Sequence, residues 1–89
     1  MPAKVVIYTT RFCPYCIRAR SFFKKKGVEY TEIRVGRNRD LRKEMEQRSG
    51  HNTVPQIFIN NESMGGYDDI TALDRQGKLD QKLGIAQDG

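Results

Sequence analysis

Histidine and cysteine are scarce in this chain: His51 stands alone, and Cys13 and Cys16 are the only cysteines in 89 residues. A zinc site needs four ligands, so one chain falls short of it, and only a site shared between two chains stays open. Long apolar runs are also missing. The longest are strand-sized, so neither a signal peptide nor a membrane span is expected, and the chain reads as a cytoplasmic protein with no membrane partner. Repeats and low-complexity stretches are absent. The length suits a single domain over 1–89, with one core and any catalytic site at its surface. A monomer is the default, because no spare apolar stripe is evident.

Acidic residues are outnumbered, 11 Asp+Glu against 16 Lys+Arg, for a formal net charge of +5. The excess is spread through Arg18, Arg20, Lys24 to Lys26 and Arg34 to Lys43, with no motif for nucleic acid, so solvated helix faces account for it. Such a surface still attracts anionic small thiols and acidic proteins, less so as salt rises.

What is present centres on Phe12-Cys13-Pro14-Tyr15-Cys16. Before it, Val5 to Thr9 is β-branched and aromatic, a strand covered on both faces and central in its sheet; after it, Pro14 to Lys26 has helical spacing and stops at Gly27. Cys13 therefore falls at a helix N-terminus, where unpaired amides and the helix dipole favour a thiolate and proline fits the first turn. Arg11 and Arg18 add positive field. Residues three apart share a helix face, so Cys16 can close a small disulfide with Cys13. Cys13, at the exposed tip, is the expected nucleophile and Cys16 the resolving thiol. A purely structural disulfide with so short a loop would constrain the unfolded chain little.

Downstream, Val28 to Val35 reads as a second strand, Asn38 caps a helix running to Ser49 with Gly50 as its stop, and Leu41 and Met45 face the core. The opening β-α-β-α implies parallel strands joined by a right-handed crossover. His51 reads as an exposed loop residue. Gln56 to Asn60 and a strand beginning at Ser63-Met64 form a hairpin around Asn60-Asn61. On the residues alone, Pro55 fits an edge strand. Asp68 is placed to cap a helix through Ile70 and Leu73, and with Asp69 it also suits the helix dipole. Leu79 and Leu83 suggest a last helical turn closed by Gly84, between a lead-in over Met1 to Lys4 and a frayed tail from Ile85 to Gly89.

Cys13-Pro14-Tyr15-Cys16 resembles the active site of the dithiol glutaredoxins, and Thr53-Val54-Pro55 and Gly65-Gly66-Tyr67-Asp68-Asp69 match that family in the same order. The likeness runs from about Val5 to Leu83 and is nearest to the small bacterial members of the glutaredoxin 3 type. It implies an α/β thioredoxin fold, a four-stranded mixed sheet flanked by three main helices in the order β-α-β-α-β-β-α. It also implies a cis peptide before Pro55, packed beside the cysteines. The implied activity is glutathione-dependent reduction of protein disulfides and glutathione mixed disulfides, with Cys13 and Cys16 catalytic and no metal. Implied partners are glutathione and disulfide-bearing or glutathionylated proteins, ribonucleotide reductase among them. Glutathione is expected along Tyr15, Thr53, Val54 and Pro55, with its γ-glutamyl end at Gly66, Tyr67, Asp68 and Asp69. Many members carry a lysine where this chain has Thr10, which makes Arg11 the candidate for the glycine-end carboxylate. Two alternatives remain at this level: a hydrogen donor reduced by thioredoxin reductase, and an iron–sulfur carrier, disfavoured by Pro14 and Cys16.

Overall fold

The computed structural model describes residues 3–84. The apolar run after Lys4 forms β1 (Val5–Thr9), buried along its whole length. It leads through a short turn into α1 (Pro14–Lys25), whose Cys16, Ala19 and Phe23 recur at helical spacing on the buried side. The chain continues as β2 (Thr31–Arg34), α2 (Arg39–Ser49), β3 (Gln56–Ile59), β4 (Glu62–Gly65), α3 (Tyr67–Arg75) and a short α4 (Leu79–Leu83). The strands lie in the order β2-β1-β3-β4. β1 and β2 are parallel, and the other neighbours are antiparallel. This mixed sheet has the topology expected of a thioredoxin fold.

Side chains alternate across a strand, so β1 and β3 supply two cores. Val5, Ile7, Ile57 and Ile59 pack with Ala19, Phe23, Ile70, Leu79 and Leu83, which places α1, α3 and α4 over one face. Val6, Tyr8 and Phe58 meet Met45 of α2 on the other. Burial of a side chain such as Phe23, fully enclosed here, stabilises the fold by about 2–3 kcal/mol. The α2 face is smaller and partly polar: the Tyr8 hydroxyl accepts from Arg48 Nη1 at 2.7 Å and donates to Glu44 at 3.3 Å.

The punctuation follows local chemistry. The Asn38 side chain accepts from the Leu41 amide, and Gly50 ends α2 at φ 77°. Asn60 and Asn61 take φ of 51° and 68°, as a tight hairpin turn requires. Several boundaries depart from expectation: β2 ends at Arg34 rather than Val35, β3 at Ile59 rather than Asn60, and β4 begins at Glu62 rather than Ser63. β2 begins at Thr31 rather than Val28, because Val28 and Tyr30 turn onto the larger core instead of joining the ladder. Lys26 caps α1 rather than extending it, its side chain drawn to Asp74 and Asp80. The expected tail, 85–89, lies outside the described residues. Among the described residues, no helix is long and apolar enough to cross a membrane.

Candidate active site

Cys13 is the N-cap of α1, at φ −128° and ψ 110°, and its sulfur accepts the Cys16 amide at 3.2 Å. No acidic side chain occupies the first turn, so the positive end of this helix is left to the sulfur. The Cys13 thiol also faces the Val54 carbonyl, 3.8 Å away. Cys16 sits one turn deeper and is fully buried. Burial pushes its thiol up to about 12, reinforced by its bond with Cys13 and partly offset by the Thr10 amide and the positive charge of Arg20. The pair is thus divided into a solvent-reachable sulfur and a protonated reserve beneath it.

Arg20 follows Cys16 by one helical turn and is held by Glu32, Nη1 to Oε2 at 2.5 Å, while the buried Thr9 hydroxyl donates to the same oxygen at 2.7 Å. Burial alone raises the Glu32 carboxyl, but the bonds from Thr9 and Arg20 outweigh it and hold the group below its ordinary value. These three residues join β1, α1 and β2 directly behind the cysteines.

The opposite wall comes from the approach to β3. The Val54–Pro55 peptide is cis, and Gln56 fixes the preceding residue by donating from Nε2 to the Thr53 carbonyl at 2.9 Å and hydroxyl at 3.2 Å. Tyr15 and Tyr67 pack with ring centroids 6.4 Å apart. Between these walls runs an open groove of about 230 Å³. It brings together Tyr15, Thr53, Val54, Pro55, Gly66, Tyr67, Asp68 and Asp69, eight of the nine residues expected to line a glutathione site. Arg11 is the one it leaves out: its guanidinium lies over the Phe12 ring at 5.4 Å, beside a neighbouring cleft with Thr10 and Arg37. Arg18 likewise stacks over Tyr15, at 5.2 Å.

One assignment is corrected. The cap of α3 is Gly66, not Asp68, and the carboxylate that reaches back to the Gly66 amide, at 2.9 Å, belongs to Asp69. The helix starts two residues earlier than a side-chain cap at Asp68 would require, and Asp68 is an exposed first-turn acid. Gly65 also lines the groove, as part of the matching Gly65 to Asp69 segment, and two lining residues were not anticipated: His51 and Gln56. His51 is exposed, as expected, but its loop folds against the groove. Nearness in sequence to Thr53-Val54-Pro55 was the available signal for both.

Known proteins share this sequence pattern and fold. The glutaredoxin family model matches residues 5–64. A glutaredoxin of Pseudomonas aeruginosa is 51% identical over 79 residues, 89% of this chain and 94% of that protein. Glutaredoxin 3 of Escherichia coli is 49% identical over 81 residues, 91% and 98% of the two. Among solved structures, a buckwheat glutaredoxin–glutathione complex superimposes with a TM-score of 0.85 at 30% identity, over 94% of this chain and 83% of that one. With a dithiol at a helix start, a cis proline facing it and half of its residues shared with bacterial glutaredoxins, the chain belongs to the glutaredoxin family of glutathione-dependent thiol–disulfide oxidoreductases.

Proposed function

We propose that the groove holds glutathione with its sulfur at Cys13, and that the two cysteines divide the chemistry. The observation that carries this is the contrast between them: Cys13 caps α1 within reach of solvent, whereas Cys16 is buried with its thiol pushed up to about 12. The glutathione complex of the buckwheat relative supports the choice of ligand. Backbone groups of Val54 pair with the cysteinyl part of the tripeptide, and Tyr15, Thr53 and Pro55 line its path. The γ-glutamyl carboxylate meets the open amides at the start of α3, with Gly66 and Tyr67 beneath it; Asp68 takes the ammonium. Asp69 holds the turn that presents these groups. Arg11, outside the groove, reaches the glycine-end carboxylate by swinging off Phe12.

In deglutathionylation, the Cys13 thiolate attacks the glutathione sulfur of a mixed disulfide. A Cys13–glutathione disulfide forms, and the substrate thiolate leaves and takes up a proton. A second glutathione thiolate then attacks the bound glutathione sulfur, releasing glutathione disulfide and the Cys13 thiolate. With a protein disulfide, Cys13 forms a mixed disulfide to the protein. Cys16 loses its proton and attacks the Cys13 sulfur, which frees the reduced protein and leaves Cys13–Cys16 oxidised. Two glutathiones return it to the dithiol, and two electrons have passed. Protein substrates are disulfide-forming or glutathionylated proteins, with ribonucleotide reductase as one candidate. A single domain over 1–89, acting as a monomer in the glutathione-rich cytoplasm, suits this cycle.

The test is turnover of a small glutathione mixed disulfide coupled to glutathione reductase. Cys13→Ser should lower the rate by at least about 10³-fold, and Cys16→Ser should keep most of it while losing reduction of a protein disulfide. An inactive intact protein that thioredoxin reductase reduces would overturn the glutathione reading.

A further inference from the structure

The large apolar side chains left exposed among the described residues are Phe12 (87%), Tyr15 (48%) and Ile17 (55%), all within four positions of Cys13. A glutathione groove accounts for Tyr15 but for neither of the others. Beyond Tyr67 lies a second cleft, of about 370 Å³, lined by Ile17, Arg18, Ser21, Phe22, Lys25 and Tyr67. Tyr67 is the wall between the two, packed edge-on against Phe22 at 6.5 Å and tilted against Tyr15. The cleft has an apolar floor, two cations and no acid. Ion pairs among the described residues use Arg20, Lys26, Arg34 and Lys82; Lys26 alone takes both Asp74 and Asp80, while Lys25 beside it takes neither.

We propose that this cleft docks an extended, acidic segment of the protein substrate, on the side of the attacked cysteine away from glutathione. The inference rests on the glutathione-dependent reading of the groove: glutathione lies on one side of Tyr67 and the protein on the other. Charge complementarity selects the occupant, since cations that make no ion pair among the described residues, beside an apolar floor, suit acidic side chains flanking an apolar one. Spacing sharpens it. At about 1.5 Å per helical residue, Arg18 and Lys25 stand roughly 8 Å and 18 Å along α1 from Cys13. An extended chain advances about 3.3 Å per residue, so the matching acids lie about two and five positions from the substrate cysteine.

The experiment uses two glutathionylated peptides, identical except for Glu or Lys at those two positions, and the mixed disulfide of glutathione with mercaptoethanol, which is too short to reach Lys25. Each is turned over by the intact protein, by Lys25→Glu and by Lys43→Glu, a change of equal charge on the exposed face of α2 across the sheet. The Glu peptide should have a KM roughly tenfold below that of the Lys peptide in the intact protein and in Lys43→Glu, falling to roughly threefold or less in Lys25→Glu. Equal KM values for the two peptides in the intact protein would overturn the proposal. So would an equal loss in Lys43→Glu, because the preference would then belong to net charge rather than to the cleft. Failure to turn over even the mercaptoethanol disulfide would sink the underlying glutathione reading, and this one with it.

Discussion

Helices α1 and α3 both begin at the groove, yet their first turns are finished differently. α1 has no acid in its first turn, and its cap is a sulfur that the Cys16 amide meets at 3.2 Å. α3 carries Asp68 and Asp69 there, and Asp69 returns its carboxylate to the Gly66 amide at 2.9 Å. A helix start draws anionic character whatever its source. Where the chain withholds an acid, the reactive group itself collects that effect; where the chain provides one, the start becomes a rigid shelf with its remaining amides free for a ligand. In the proposed cycle, reaction and recognition thus fall on two copies of the same local device.

The contrast breaks most readily at Gly65. Its φ of +84° is strained for any other residue, and a methyl group there would collide with the Asp69 carboxylate. Gly65→Ala should therefore cost about 2 kcal/mol in urea unfolding and raise the KM for glutathione. An unchanged unfolding midpoint would mean that Asp69 moves aside freely and that the shelf is not rigid. Next in size, Asp69→Ala removes the returning carboxylate and should cost about 1 kcal/mol, with Asp69→Asn recovering part of it. If both variants were as stable as the parent, α3 would need no acid and the contrast with α1 would lose its cause.

The smallest effect concerns the brace behind α1, which α3 lacks. Glu32 lies below its ordinary value of 4.5 because Thr9 and Arg20 outweigh the effect of burial. Its bonds therefore stabilise the fold fully above that value, and the contribution fades as pH falls through the depressed one. Glu32→Gln should be less stable than the parent by up to about 1 kcal/mol at neutral pH, and the gap should close in acid. A gap unchanged at about pH 3 would assign the loss to packing rather than charge.

Much of this architecture was legible in the residues. The change from β-branched run to helical spacing around Cys13 placed the strand-to-helix junction that carries both cysteines, and the half-buried and buried positions of the two followed from one helical turn. The cis peptide came from resemblance, since residue pattern alone suited an edge strand. Which aspartate reaches back to the start of α3 was not legible, because neighbouring acids both fit a first turn and only the true helix start, at Tyr67 after the Gly66 cap, separates them. The Thr9–Glu32–Arg20 cluster was equally hidden: its members are far apart in sequence, and strand pairing and helix docking are needed to bring them together. The same holds for Tyr67, whose place between Tyr15 and Phe22 depends on how α3 meets α1.

The register of the central strands carries a mechanical consequence. Tyr8 of β1 pairs with Gln56 of β3 in the middle of the sheet, one step from the turns that bear Cys13 and the cis proline. Cys13 and the cis proline, two facing jaws of the groove, thus extend from a single interior ladder, flanked on either side by β2 and β4. Prising the jaws apart means tearing the sheet at its centre, where amide protons exchange last, while the outer strands can fray with the gap between sulfur and proline unaltered. The spacing on which thiol exchange depends is guarded by the part of the molecule that opens least often.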